Sequence, residues 1–487
     1  MTEPRNDLGE REFDLVIIGA GPAGLAAADV IRGYELQTAI IDEQMRAGGQ
    51  ILRQPPGAFT VDGWLSESLY DHAKKALRVV EDRADIDWFL GATVLGVEAL
   101  SPQPARGRRT GFVVYFQRGG DCETIRAKTV LLATGCYERA LAIPGWTLPG
   151  VMGAGAIQAF IKSQQFVPGR RFLLAGSHPL QLVVADQLRA AGADVAAVVF
   201  SQSSRDKFRL LRYPLTTLLH PAHMIETARI LSRLRRARTR ILFGHAVTQL
   251  HGAAALEHAT VSRIAPDGRI DTGRSEIIEC DRAGLCHGFL ASSEIARQAG
   301  ADSRFLPDAG GWLVKHDRWF ESSVPGLFVA GEITGLAGAD ASLIKGQIAG
   351  FGILKAQRSL TDAEAAKLAG ASRRRLRRID RFSTMLNALS RPPRKLQQAV
   401  LTDDTIICRC ECVTYGEFRE VLDSHPHIES VNAAKLRTRV GMGMCQGRFC
   451  EENVMNAVAT ARGRVLDGVG AFRPQFPVKP LNLQIPD

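Results

Sequence analysis

The chain has 487 residues, too many for one ordinary core and enough for two or three domains at about 100–200 residues each, which excludes a small binding module as the whole protein. Hydrophobic residues make up 45% and charged residues 23%, the balance of a globular chain that buries sizeable cores and not of a disordered or fibrous one. The net charge is +10, but much of the excess sits in RILSRLRRARTR (229–240) and RRRLRRIDR (373–381), without interleaved aromatics to stack bases, which disfavours nucleic acid and fits solvated or partner-facing helices.

The start, MTEPRNDLGEREF, is charged and resembles no signal peptide, and no apolar run approaches the roughly 18 residues of a transmembrane span, so a cytoplasmic location without membrane segments is expected. Residues 13–18 (FDLVII) form a β-branched strand pattern that runs into Gly19-Ala-Gly21-Pro-Ala-Gly24 and then an alanine-rich helix. A second strand, TAIID (38–42), ends in Asp42 and completes a βαβ unit of dinucleotide-binding type. Gly19 serves the tight turn, Gly21 the close approach of a diphosphate at the helix N-terminus, Gly24 the packing of helix on strand, and Asp42 the ribose hydroxyls. On these residues alone the dinucleotide is either NAD or FAD.

TVLLATG (129–135) and VPGLFVAGE (324–332) resemble the two further strand-turn signatures of two-dinucleotide-domain flavoproteins and decide for FAD, with Glu332 standing where that superfamily usually has Asp. Between them, IPGWTLPG (143–150) has the turn residues of a crossing, and from Arg170 the strand-turn-helix-strand pattern restarts. Its turn, Gly176-Ser-His178-Pro-Leu-Gln181, keeps only the first glycine, which disfavours a nicotinamide cofactor there. No CxxC or CxxxxC pair occurs in residues 1–400, which excludes a disulfide reductase; Cys136, just after the ATG element, reads as a small buried thiol.

Five of the nine cysteines fall late: Cys408-Arg-Cys410-Glu-Cys412, then Cys445-x4-Cys450. C-x-C is tight for one tetrahedral ion, whereas a 2Fe-2S cluster takes four thiolates, two from each loop. Cys408, Cys410, Cys445 and Cys450 are the expected ligands, with Cys412 as the spare. Thr414 and Glu417 form a capping box, and EENVMNAVATAR reads as a helix that follows Cys450.

The expected fold is α/β: two tandem dinucleotide-binding-like domains in a glutathione-reductase-like arrangement, with a small C-terminal helical 2Fe-2S domain. Residues 1–145 and 276–360 are assigned to the FAD domain, 146–275 to an NAD-domain-like insert not binding nicotinamide, 361–400 to a basic helical linker, 401–465 to the 2Fe-2S domain and 466–487 to an extended tail.

ATGCYERALAIPGWTLPGVMGAGAIQ (133–158), CRCECVT and GMGMCQGRFC together resemble the FAD and 2Fe-2S alpha subunits of heteromeric bacterial amino-acid dehydrogenases. That family includes the A subunit of opine oxidase, the D-hydroxyproline dehydrogenase alpha subunit, the B subunit of hydrogen cyanide synthase and, more distantly, part of sarcosine oxidase alpha. The resemblance implies that Gly19, Gly21, Gly24, Asp42, Glu43, Gly49, Gln50, Thr134, Gly135, Gly331 and Glu332 line the FAD. It also implies a flavin-containing beta subunit that oxidises the C–N bond of an amino acid, imino acid or opine, so that no catalytic residue is assigned to this chain. In such assemblies FMN can lie at the subunit interface, a small third subunit can be present, and electrons can leave to the respiratory chain through transient contact with a membrane-linked acceptor. Departures from the family pattern are Cys412, where relatives tend to have Glu, and His178, where they tend to have Gly. The helix 373–381 and the tail 473–486 are the candidate docking elements for a partner. The competing expectations are a self-sufficient NAD(P)H-dependent flavoprotein reductase and an iron-sulfur scaffold with a vestigial flavin site, the latter opposed by the intact first glycine turn.

Overall fold

The structure is a computed structural model that describes residues 11–55, 71–100, 111–203, 221–265, 268–392 and 394–483. The charged first ten residues, Pro393 and the last four residues of the tail lie outside these. Among the described residues no helix is long and apolar enough to cross a membrane.

The first sheet runs β3 (Ile86–Leu90), β2 (Thr38–Asp42), β1 (Glu12–Ile18), β6 (Asp121–Leu132), β5 (Phe112–Arg118), β4 (Ala92–Ala99), with β19 (Leu327–Val329) also pairing β6. β1 is parallel to β2 and β6, and buries Leu15, Val16 and Ile17 completely, as its run of β-branched and aliphatic residues requires for a strand covered on both faces. Helix α1 (Pro22–Val30) follows the glycine turn, and Pro22 occupies a first-turn position where no N–H is needed. It packs against a long helix near the end of the first domain, Ala339–Ala356, where Gly346 lies on the backbone of Ala23 so closely that a Cβ would overlap its carbonyl oxygen.

The chain leaves this domain through β7 (Cys136–Glu138) and returns through β16 (Phe289–Ala291); the two pair antiparallel. Between them the second sheet has the order β11 (Arg240–Phe243), β10 (Asp194–Phe200), β9 (Arg171–Gly176), β15 (Arg282–Cys286), β8 (Val151–Gly153), with β12 (His245–His251), β13 (His258–Ile264) and β14 (Ile270–Glu279) forming a separate antiparallel sheet. The boundary expected at 275/276 therefore falls inside β14, and the second domain keeps the chain until β15, which is parallel to both β8 and β9. After β16, the antiparallel pair β17 (Ser303–Leu306) and β18 (Gly311–Val314) leads back to β19. Helix α2 (Asp71–Glu81) belongs to the first domain, and the helices of the second are α3 (Ala154–Ser163), α4 (Leu180–Ala190) and α5 (Pro221–Arg236). The short Glu294–Gln298 is α6, and Ala339–Ala356 is α7.

The basic stretch expected as a linker is α8 (Asp362–Ser390), opened by a capping box of Thr361 and Glu364. It is helical as expected but is a wall and not a tether. Ala365 and Ala369 are buried beside Ile353 and Leu354 of α7, Ser372 Oγ donates to Gln347 Oε1 at 2.9 Å, and the Arg373 guanidinium lies 4.0 Å from the centre of the Trp319 ring. Arg373 thus has a neighbour within the chain, whereas Arg374, Arg375, Arg377, Arg378 and Arg381 are exposed. Helix α9 (Arg394–Val400) then sets Leu396 and Val400 into the core of the second domain.

The C-terminal domain is built on the short pair β20 (Ile406–Cys408) and β21 (Val413–Thr414) with α10 (Tyr415–Ser424), α11 (Val431–Thr438) and α12 (Glu451–Arg462) around Phe418, Leu422, Val454 and Val458. The capping box at Thr414 and Glu417 and the helix after Cys450 stand where the sequence placed them.

Candidate functional site

A cleft of about 1300 Å³ lies between the two dinucleotide-type domains. It exceeds the roughly 300–1,000 Å³ usual for one small ligand. Ten of the eleven residues expected for FAD line it: Gly19, Gly21, Asp42, Glu43, Gly49, Gln50, Thr134, Gly135, Gly331 and Glu332. Gly24 does not. A Cβ on Gly24 would overlap the carbonyl oxygen of Gly19, so its absent side chain serves helix-on-strand packing.

Gly21 is different. It caps α1 in an ordinary extended conformation (φ −79°), no side chain caps that helix, and a Cβ at Gly21 would meet nothing nearer than the Gly49 Cα at 3.8 Å. The protein itself does not need glycine there; the space and the free helix N–H groups suit the diphosphate of a dinucleotide. At the end of β2, Asp42 accepts from Ala20 N at 2.6 Å and Gln44 N at 2.7 Å, which fixes the carboxylate beside the turn. Burial raises its pKa, and those two backbone N–H groups oppose the rise.

Also lining the cleft, Glu332 accepts from Ala337 N at 2.9 Å, Gly338 N at 2.7 Å and Ser342 Oγ at 3.4 Å, so the carboxylate sits at the N-terminus of α7. Its pKa is raised by burial and held back by Lys345, whose ammonium donates to Gly335 O at 2.7 Å and Gly331 O at 3.4 Å. Thr134 Oγ1 donates to Ser292 O at 2.6 Å and ties the ATG turn to the returning chain. Cys136 lines the cleft, and burial, then Glu332 and Glu138, push its thiol well above the ordinary value, so it is held neutral.

Several cleft residues carry no local signal in the sequence. Arg378, Phe382 and Asn387 come from α8, and Lys479 from the tail. Glu138 accepts from Gly155 N at 2.7 Å and Ala156 N at 3.3 Å and so fills the N-terminus of α3. His178 does the same for α4: its Nδ1 accepts from Leu180 N at 3.2 Å. Burial lowers the pKa of His178 to about 4, with Arg139 contributing, so the ring stays neutral.

In the C-terminal domain the Cys408 sulfur meets that of Cys450, and the Cys410 sulfur meets that of Cys445. Cys408 is lowered to about 6, first by the bond from Cys450 and then, against burial, by the backbone N–H groups of Gly441, Glu411 and Cys410. Cys450, the donor of that bond, is raised well above its usual value by it and by burial. Among the described residues no three His, Cys, Asp or Glu side chains gather around a single ion position. Two pairs of sulfurs, with backbone N–H groups directed at Cys408 in one and at Cys410 in the other, instead fit a two-iron centre. Cys412 stands apart: it is exposed, and its Sγ reaches Arg409 O at 3.7 Å. The two cluster loops touch the cleft, because Arg409, between Cys408 and Cys410, and Phe449, before Cys450, both line it.

Residues 13–366 match the family described as pyridine nucleotide-disulphide oxidoreductase, and residues 406–460 match the BFD-like 2Fe-2S binding domain. Hydrogen cyanide synthase subunit HcnB of Pseudomonas aeruginosa is 32% identical over 473 residues, 96% of this chain and 96% of that one. The A subunit of opine oxidase from Rhizobium meliloti is 31% identical over 481 residues, 97% of this chain and 87% of that one. The crystal structure of L-proline dehydrogenase from P. horikoshii shares the fold, with a TM-score of 0.67 at 21% identity over 97% of this chain and 78% of that chain. The chain belongs to the pyridine nucleotide-disulphide oxidoreductase family and is an oxidoreductase chain for FAD and, in its C-terminal domain, a 2Fe-2S cluster.

Proposed function

We propose that this chain is the electron-transfer subunit of a heteromeric opine, imino-acid or amino-acid dehydrogenase. A flavin-containing beta subunit oxidises the substrate C–N bond, and this chain passes the electrons on toward the respiratory chain. The observation that carries the reading is the shared wall: Arg409 and Phe449, next to the cluster cysteines, line the same cleft as Gly21 and Glu332. When bound, FAD exchanges electrons in pairs or singly and a 2Fe-2S cluster one at a time, which is what a relay requires.

The chain's own residues divide the work. Gly19, Gly21, Gly49 and the start of α1 receive the diphosphate; Asp42 and Glu43 face the ribose; Gln50, Thr134, Gly135, Gly331 and Glu332 line the remainder; Cys408, Cys410, Cys445 and Cys450 hold the cluster. Arg409, between Cys408 and Cys410 in the chain, brings a guanidinium to the cleft wall. The names of the similar subunits, in hydrogen cyanide synthase and opine oxidase, support a partner subunit. Mixed anaerobically with candidate opines, the purified chain keeps its flavin oxidised until the beta subunit is added; reduction by an opine without a partner overturns the relay and makes this chain the catalytic one.

The alternative, a self-sufficient NAD(P)H-dependent reductase, needs an anion site at the start of α4. There the imidazole of His178 already takes the Leu180 N–H. Bleaching of the flavin by NADPH alone would favour that alternative.

A further inference from the structure

The proline-spaced tail, read from sequence as a docking element for a partner, is engaged within the chain. The Phe476 ring packs edge-on against Tyr115 at 5.2 Å and over Gly96, where any Cβ would meet it. Val478 is buried, its N–H donates to Leu95 O at 2.8 Å, and its carbonyl accepts two bonds from Arg448 at 3.3 Å. Gln117 and Asn482 exchange two bonds at 2.8 Å. A segment that follows the 2Fe-2S domain is thus laid across β4 and β5 of the first domain, pinned on both sides of residue 479.

The pinning delivers Lys479 to the dinucleotide cleft, where its ammonium pairs with Glu43. Asp42 is the second acidic neighbour, and Arg53 is the other cation of this corner. Lys479 lies outside both matched segments, 13–366 and 406–460. An ammonium has three N–H donors, and among the described residues Glu43 is its ion-pair partner. Without Lys479, the two carboxylates that face the ribose would leave this corner with one guanidinium to balance them beside an anionic cofactor; with it, the corner has two charges of each sign.

We infer, on the reading of this cleft as the FAD site, that the C-terminal tail supplies a cofactor-binding residue, Lys479, whose ammonium neutralises the Asp42–Glu43 pair and donates to the ribose and diphosphate oxygens of the dinucleotide. The tail is then a strap over bound FAD. Its hold passes through Arg448, which also donates to Cys445 O at 3.1 Å, so strap and cluster loop share one anchor.

The test follows FAD release from the holoprotein by the rise of free-flavin fluorescence, with the cluster monitored by its spectrum. Lys479→Met releases FAD about tenfold faster or more, since even one lost charge-assisted hydrogen bond is worth that factor. Lys479→Arg restores most of the retention, and a chain ending at Arg473, which keeps Phe472 on the cluster loop, releases at least as fast as Lys479→Met. Equal release from wild type, Lys479→Met and the shortened chain overturns the proposal, as does accelerated release accompanied by loss of the cluster. Gly21→Leu separates this outcome from failure of the site reading: if that variant retains FAD normally, the cleft itself is misassigned.

Discussion

The indole N–H of Trp146 donates to the carbonyl oxygen of Ile406 at 2.7 Å, and so joins the crossing loop between the two dinucleotide-type domains to the first strand of the 2Fe-2S domain. The contact does not stand alone. Arg139 pairs with Glu452 at 2.8 Å with both side chains largely buried, and Asn453 Oδ1 accepts from Ala142 N at 3.3 Å and Gln397 Nε2 at 2.6 Å. The segment that carries the chain out of the FAD domain is therefore also the seat of the cluster domain. Removing one partner of a buried pair strands the other charge, so Arg139→Met is expected to cost about 3 kcal/mol. Trp146→Phe, which deletes one neutral hydrogen bond, is expected to cost about 1 kcal/mol. Denaturant unfolding measures both, and limited proteolysis should show the C-terminal domain released first in Arg139→Met.

Gly21 and Gly24 should separate cofactor from fold. Gly24→Ala forces a Cβ into the carbonyl of Gly19 and is expected to destabilise the chain by about 2 kcal/mol or more. Gly21→Ala adds a Cβ that meets nothing nearer than 3.8 Å and is expected to leave the melting temperature of the apoprotein nearly unchanged while weakening flavin binding. Flavin content per chain, compared with the thermal melt of apoprotein, distinguishes the two.

Among the cysteines, Cys412→Ser is expected to retain two irons per chain, because its sulfur is exposed, bonds to Arg409 O and is not a member of either thiol pair. Cys450→Ser removes a buried member of the Cys408 pair and is expected to lose the cluster. Iron analysis and the spectrum of the reduced protein decide; the reverse pattern would place Cys412 among the ligands.

His178 and His287 predict an acid limb of instability. Burial, then the charge of Arg139, lowers each to about 4, whereas an unfolded histidine titrates near 6.5. Between about pH 6.5 and 4 the unfolded chain binds protons that the folded chain refuses, so stability falls as pH falls through this window and levels off below it. The slope reaches up to about 1.4 kcal/mol per pH unit for each histidine. The buried carboxyls Glu138 and Glu332 have raised pKa values and act in the opposite sense. A comparison of wild type with His287→Leu isolates the histidine contribution: the variant's melting temperature should fall less between pH 6.5 and 4, and parallel curves would refute the assignment.

Elements set by neighbouring residues were legible in the sequence. The run FDLVII followed by a glycine turn specifies strand, turn and helix because side-chain branching and backbone freedom act within a few residues, and β1, α1 and β2 stand where that pattern placed them. The same holds for the capping box at Thr414 and Glu417 and for the helix after Cys450. The presence of a 2Fe-2S domain was likewise legible in the spacing of the late cysteines. What the tertiary structure decided is pairing over long separations. β15 joins β8 and β9 through hydrogen bonds that any strand-forming sequence can make, so the domain boundary was misplaced at 275/276. Polar α8 became a cleft wall because Ala365, Ala369, Phe382 and Met385 find a buried face among many arginines. Lys479 reaches Glu43 across more than four hundred residues of chain, and no local pattern marks a lysine as the one that a strap will carry to a dinucleotide.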